Sequence, residues 1–395
     1  MTSDESKNAI PIFLDTSVLP DTPNFLGLPF DSLCQLAQSG LVEVYLSEIV
    51  LEEWYSHLRE SWQRILKEAR GKLRQLVRHV WSQDMPGLSE HQASFDQLES
   101  NSFKANILAR KRFDELVGCL RAKIVPIKEG HTKQVFEKYF GGYLPFGSPK
   151  NRDDIPDAFI YQCALSLSDE LDQELHCIIA DTRLRVSLGR SGSIRTYQSL
   201  DEFVKSDLAK DLTSKLTPDR VWKASVDTIV RSLSRLEDTL SEGLGEIIID
   251  AVTWKLVSDP LIPDDNQEAM ITQVYETTDI VYSYNAIVDY GPGLLALPFS
   301  LNTHSDLEFW VFRGDAYDVP DGVWVEFGDP EKQHYFEAGG SVTLHISGTM
   351  ALQFDLSVLN EDSMPELQNV GINEVESIDI VETELGVIFH SDSEE

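Results

Sequence analysis

Cysteine is scarce in this chain: Cys34, Cys119, Cys163 and Cys177 are scattered over 395 residues with no close-spaced pair. That spacing excludes a disulfide framework and a thiolate zinc site, and the nine histidines show no paired ligand spacing either. No apolar run approaches the roughly 20 residues a membrane-crossing helix needs. Nothing like a charged leader followed by an apolar core precedes Ile10. The expectation is a reduced, cytoplasmic protein that does not span a membrane.

Positive charge is short as well, with 33 Lys and Arg against 66 Asp and Glu and a net charge of -33. Phosphate binding normally rests on surplus cations, so the whole composition argues against nucleic acid. Its distribution argues otherwise. Residues 1–220 hold 27 basic and 32 acidic residues, whereas residues 221–395 hold 6 and 34. An acidic surface evolved for salt would cover both halves, so two domains with different electrostatic roles are expected. The length also exceeds what one hydrophobic core usually serves.

The first half alternates strand and helix patterns, which argues for a parallel sheet. Ile10 to Leu14 is a short apolar strand running into Asp15, then Thr16 and Ser17. An amphipathic segment near Ser32 to Gln38 leads to a second strand, Val42 to Leu46. From Ile49 to about Trp81 apolar residues recur at helical spacing, and the other face carries Arg59, Arg64, Lys67, Arg70, Lys72, Arg74 and Arg78. A second basic cluster, Arg110, Lys111, Arg112, Arg121 and Lys123, precedes a short strand, Ile124 to Ile127. Either cluster reads equally as a solvated face or as a phosphate-steering surface. A loop, GGYLPFGSPKNRDDIPD, leads to a helix starting near Asp157, and the buried-type strand His176 to Ala180 ends at Asp181.

Beyond Leu200 the pattern changes. Thr217 and Pro218 read as an N-cap and a first-turn proline, and Trp222, Val226, Ile229, Leu233, Leu236 and Leu240 form a heptad-like stripe on one helix. That stripe is expected to pack on the first domain, with a homodimer seam as the rival. Strands are expected over Ile247 to Leu256, Ile280 to Tyr290, Leu307 to Phe312, Val323 to Phe327, Val342 to Ile346 and Leu352 to Leu356, favouring an antiparallel sandwich or barrel. The expected organisation is an α/β domain over 8–210, a helical connector over 211–244, an acidic β-rich domain over 245–383 and a disordered acidic tail over 384–395.

Hard divalent cations such as Mg2+ and Mn2+ take oxygen ligands, and hydrolytic sites gather carboxylates to hold them. In an open parallel sheet, functional groups collect beyond the carboxyl ends of the strands. Asp15 and Asp181 follow strands, Asp157 opens a helix, and Glu53 lies in the first turns of the helix after the second strand. For Asp157 a helix cap is the competing role, though capping and ligation are compatible.

Four motifs in this order resemble PIN-domain nucleases. They are IFLDTSVL with Asp15, Thr16 and Ser17; LSEIVLEEW, where serine-to-glutamate spacing selects Glu53 over Glu52; DDIPDAFIYQCAL with Asp157; and CIIADTRL with Asp181. The third is similar to a bacterial subgroup reading Glu-Phe-Pro-Asp-Ala, which makes Asp154 a further metal-site candidate. The chain departs from the pattern in having Ile179 and Ala180 where Thr or Ser usually precedes the fourth acid.

The resemblance spans roughly residues 8–200 and implies a PIN-like parallel sheet flanked by helices. It implies hydrolysis of phosphodiesters, most often in RNA, at a Mg2+ or Mn2+ site. Asp15 and Asp157 are assigned to ligation, Glu53 and Asp181 to ligation or to orienting water, and Ser17 to a supporting hydrogen bond at the substrate site. Lys150 and Arg152 are candidates for substrate phosphate or for ordinary loop solvation. A Mg2+- or Mn2+-dependent endoribonuclease, with a toxin or defence effector as one form of it, is the leading reading, and the acidic domain is expected to regulate access or recruit a protein partner. A catalytically silent scaffold and a structure-specific DNA nuclease are the alternatives.

Overall fold

The computed structural model describes residues 9–19, 27–78, 102–216, 219–260, 262–317, 319, 323–326, 334–356 and 366–381. The chain divides between Leu216 and Thr217 into two compact units. Among the described residues no helix is long and apolar enough to cross a membrane.

The first unit is built on a five-stranded, all-parallel sheet. Its strands are β1 (Ile10–Leu14), β2 (Val42–Ser47), β3 (Lys123–Val125), β4 (Leu175–Ile178) and β5 (Ile194–Tyr197), in the order β3-β2-β1-β4-β5. β1 is central, and Ile12, Phe13 and Leu14 are fully buried, as expected of a strand covered on both faces. Helices α1 (Leu28–Gln38), α2 (Glu48–Arg78), α3 (Ser102–Cys119), α4 (Glu129–Gly141), α5 (Ile155–Glu170), α6 (Thr182–Leu188), α7 (Leu200–Val204) and α8 (Asp207–Thr213) make the connections and complete the unit. The parallel sheet flanked by helices is therefore as the alternating pattern predicts. Beyond Arg78 the expected extension of α2 to Trp81 lies outside the described residues.

The second unit begins with two helices, α9 (Asp219–Leu233) and α10 (Glu237–Val252). The expected single-helix stripe is thus broken. Arg235 and Leu236 donate to the carbonyls of Ser232 and Leu233, three residues back, closing a turn that leaves Leu236 exposed. The expected strand from Ile247 to Leu256 is also corrected. Leu240, Leu244, Ile248 and Val252 recur every four residues on the buried face of α10, and only Leu256–Ser258 (β6) is extended. Trp222, Ile229, Leu233 and Leu240 are buried in the core that these helices share with the sheet of the same unit.

The sheet itself has seven strands, β6, β7 (Glu268–Tyr282), β8 (Val288–Gly291), β9 (Leu294–Phe312), β10 (Trp324–Glu326), β11 (Tyr335–Asp355) and β12 (Glu366–Ile380), all paired antiparallel. The expected strand Ile280 to Tyr290 is interrupted by a single 3-10 turn at Tyr284–Ala286. The two expected strands at 342–346 and 352–356 are one, β11, which pairs with β9 along nearly its whole length. Instead of a sandwich or closed barrel there is one curled sheet whose flanks, β6 and β12, approach each other while α10 packs on both β7 and β12. Alternate residues of β9, from Leu295 to Leu301 and from Leu307 to Val311, face that core. At about 1.5–3 kcal/mol for each large apolar side chain, this face carries the unit's stability. Thr217, Pro218 and the acidic tail lie outside the described residues.

Candidate active site

Asp15 leaves the carboxyl end of β1 beside the end of β4: its N–H donates to the carbonyl of Ile178 at 3.1 Å. The side chain is 4% exposed. Its Oδ2 accepts from both the amide and the hydroxyl of Ser17, closing a 3-10 turn over Thr16–Val18. Ser17 Oγ in turn accepts the N–H of Ala180 at 3.0 Å, fastening the end of β1 to the residue before Asp181. On the other side, Thr16 Oγ1 donates to Glu53 Oε2 at 2.7 Å. The consecutive triplet Asp15-Thr16-Ser17 therefore joins segments that precede it by nothing in sequence and follow it by 37 and 163 residues.

Asp157 enters from the first turn of α5, whose helix packs against α2, the bearer of Glu53. Asp157 makes no capping bond. Asp181 does cap an α-helix, accepting the N–H of Leu184 at 2.7 Å at the start of α6. These hydrogen bonds fall on a single oxygen each of Asp15, Glu53 and Asp181.

Asp15, Glu53 and Asp181 all act on Asp157, and Asp15 is also coupled to Asp181 and to Glu53. Burial pushes the Asp15 carboxyl up, against its bonds from Ser17 and Thr16, and the charge of Asp181 pushes the same way. Glu53 is raised by burial and by Asp15, with Thr16 opposing. Asp157 is pushed up to about 7, first by burial and then by the charges of Asp15, Asp181, Glu53 and Asp154. Among the described residues no three of these groups close around a common point as a finished ligand cage does. The carboxylate oxygens and their mutual repulsion nonetheless match what a hard divalent cation requires and relieves.

Asp154 stands apart from this set. It is 3% exposed, and both oxygens are engaged: Arg183 donates at 3.1 and 3.2 Å and the amide of Gly147 at 2.7 Å. Against burial, those partners hold its carboxyl below the usual range. Lys150 and Arg152 are exposed on the loop before α5 and make no ion pair among the described residues. The second basic cluster is largely engaged elsewhere. Arg110 lies over the rings of Tyr55 and Phe113 and pairs with Asp114, Lys111 pairs with Glu115, Arg121 donates to the carbonyl of Gln38, and Lys123 pairs with Glu43. On α2, Arg64 and Lys67 are exposed, and the side chains from Arg70 onward lie outside the described residues.

Sequence reasoning missed three supports. Thr16 was passed over although it stands between two candidate ligands, and its hydroxyl after a strand-terminal acid was the available signal. Arg183 secures Asp154, and Arg185 donates to the carbonyls of Ile179 and Ala180 at 2.9 Å. That bracing, with the Ser17 bond, fixes the strand end without a Thr or Ser side chain there.

Residues 12–183 match a family model described as PIN domain, a span containing Asp15, Glu53, Asp157 and Asp181. Searches of curated proteins and of solved structures gave no match.

Proposed function

Residues 12–183 are a PIN domain, and from that premise we propose that the first unit is a nuclease that cuts RNA with a Mg2+ or Mn2+ ion held by Asp15 and Asp157. PIN domains are generally nucleases that use such ions. The observation that carries this reading is that Asp15, Asp181 and Glu53, distant in the chain, all act on the part-buried Asp157 carboxyl, which burial first and then these charges and Asp154 push up. Glu53 and Asp181 complete the oxygen set as ligands or by orienting water. When bound, a divalent cation polarises phosphate and activates water. Thr16 and Ser17 fix the directions of Glu53 and Asp15, so that orientation is set before substrate arrives. Asp154, with both oxygens occupied, positions the loop ahead of Asp157 through Gly147 and Arg183 instead of ligating. Lys150 and Arg152 are exposed cations available to the substrate strand.

The test is incubation of labelled single-stranded RNA and DNA with wild type and Asp157→Asn, with manganese and with a chelator. Cleavage of RNA that vanishes with either change supports the proposal. Cleavage that survives both removes it, and cleavage of DNA alone selects the DNA-nuclease reading. Growth arrest on expression, absent with Asp157→Asn, is the corresponding test of a toxin or defence role.

For the second unit the reading is recruitment of a cationic protein partner. Its outer face near one end of the sheet sets Trp310 opposite Glu337 and Phe312 opposite Tyr335, with exposed Trp324 beside Gly339. Exposed aromatic rings interleaved with carboxylates suit lysine and arginine side chains. Unaltered capture of a basic partner by Trp310→Ala together with Trp324→Ala overturns this reading. Tighter nucleic-acid binding by residues 1–216 alone points instead to control of access.

A further inference from the structure

A cleft of about 590 Å³ opens between α4, the loop that follows it, α5 and α6, lined chiefly by Lys138, Tyr143, Tyr161, Ser187 and Arg190. Two of its walls are α5, which carries Asp157, and α6, which Asp181 caps at the other end. Tyr161 is four residues after Asp157 on α5, one turn or about 6 Å along the axis. Arg190 follows α6, the helix that Asp181 caps. A smaller cleft of about 310 Å³ shares Lys138 and Tyr143.

The lining has a distinctive chemistry. Lys138 Nζ lies 4.1 Å from the centre of the Tyr161 ring and donates to the carbonyl of Leu144 at 3.1 Å. Arg190 makes no ion pair among the described residues, and the larger cleft is lined by no carboxylate. Tyr143 is 68% exposed yet held: its ring lies so close over Gly141 that a Cβ there would meet it at 2.3 Å. Gly142 next to it turns in the left-handed region at φ 65°, ending α4. An exposed aromatic ring packed on a glycine, beside the exposed guanidinium of Arg190, is the equipment of single-strand binding.

Resting on the nuclease reading of this unit, we propose that the cleft holds one nucleotide of the strand being cut, its base stacked on Tyr143 and its phosphate met by Arg190. The site is then sequence-tolerant, because every base offers a flat face, and it favours unpaired strands, because a base within a duplex is not free to stack.

The test is fluorescence anisotropy of labelled single-stranded RNA, single-stranded DNA and an abasic strand, in chelator so that nothing is cut. Stacking losses on alanine substitution predict a 5- to 100-fold weaker binding of both base-bearing strands by Tyr143→Ala, on the order of one stacked base. Tyr143→Phe keeps wild-type affinity, and the abasic strand binds wild type and Tyr143→Ala alike. Arg190→Gln weakens all three and lowers the salt dependence by about one phosphate contact. If Tyr143→Ala weakens neither base-bearing strand, or weakens the abasic strand equally, the proposal is overturned. The nuclease reading stands or falls separately on cleavage by Asp157→Asn, since these measurements need no turnover. Thermal melting of each variant identifies any loss that comes from unfolding.

Discussion

Thr16 donates its hydroxyl to Glu53 at 2.7 Å, joining the residue after the first strand-terminal acid to the first turns of the helix that follows the second strand. This bond makes Glu53 part of the Asp15 turn instead of a free helical side chain. Thr16→Val removes the hydroxyl at nearly constant volume and leaves burial and the Asp15 charge at Glu53 opposed only by His57. Manganese affinity, followed by calorimetry, is expected to fall by about 10-fold, in line with other partners that orient a metal ligand. Melting temperature should change little. Unchanged affinity would mean that Glu53 orients itself.

Asp157 keeps its proton to about pH 7 in the folded chain, while an unfolded aspartate loses it near pH 4. Between those limits the folded state binds more protons, so without metal this group favours folding at low pH and that advantage is lost as pH rises to about 7. A cation competes for the same oxygens. Manganese should therefore raise the melting temperature more at pH 8 than at pH 5.5 and release protons on binding near neutrality. Calorimetry in two buffers of different ionisation enthalpy measures that release; its absence would place the cation elsewhere.

Asp154 and Asp157 are three residues apart and should respond oppositely to neutralisation. Asp154→Ala breaks a pair with Arg183 whose acid is buried and leaves the Gly147 amide unanswered. A loss of about 2 kcal/mol is expected, less than a fully buried pair because Arg183 is half exposed. Asp157→Asn removes a carboxylate repelled by its neighbours and should hold or raise metal-free stability at pH 8 while abolishing cleavage. Urea unfolding of the two variants checks both signs.

The place where the chain is divided also has a measurable consequence. Ending it after Leu216 leaves the parallel sheet whole and should give a cooperatively folding fragment that still cuts RNA. Ending it at Leu244 severs α10 midway and strands Trp222, Ile229 and Leu240 without the sheet that covers them. That longer fragment should aggregate, as dye binding and light scattering would show.

Much of the first unit was legible because its signals are local. Ile10 to Leu14 and His176 to Ile178 are short apolar runs, and each leads to an acid just past the carboxyl end of its strand. The four carboxylates came from such local patterns, and their shared environment from the rule that strand ends converge. Partnerships were not legible, since Thr16 and Glu53, or Asp154 and Arg183, meet only through the fold. The second unit misled for a different reason. Ile247, Ile248 and Ile249 are β-branched and consecutive, so the run fits a buried strand as well as a helix. What settles it is Leu240 and Leu244 one and two turns earlier, which complete a helical face. Likewise β11 contains two apolar stretches separated by Ser347, Gly348 and Thr349, and a bulge against β12 at Gly348 lets the strand continue where a turn was expected.

The curled sheet ends in a strand with a particular composition. β12 carries Glu366, Glu374, Glu376 and Asp379 and no lysine or arginine, and among the described residues it pairs with β11 alone. Fifteen residues of extended backbone are a template on which foreign strands can grow into fibrils, and like charge repeated along the edge keeps another copy away. Part of the acidity that first seemed foreign to a nucleic-acid enzyme thus guards against self-assembly. Exchanging those carboxylates for neutral amides would remove the guard and leave the buried face untouched.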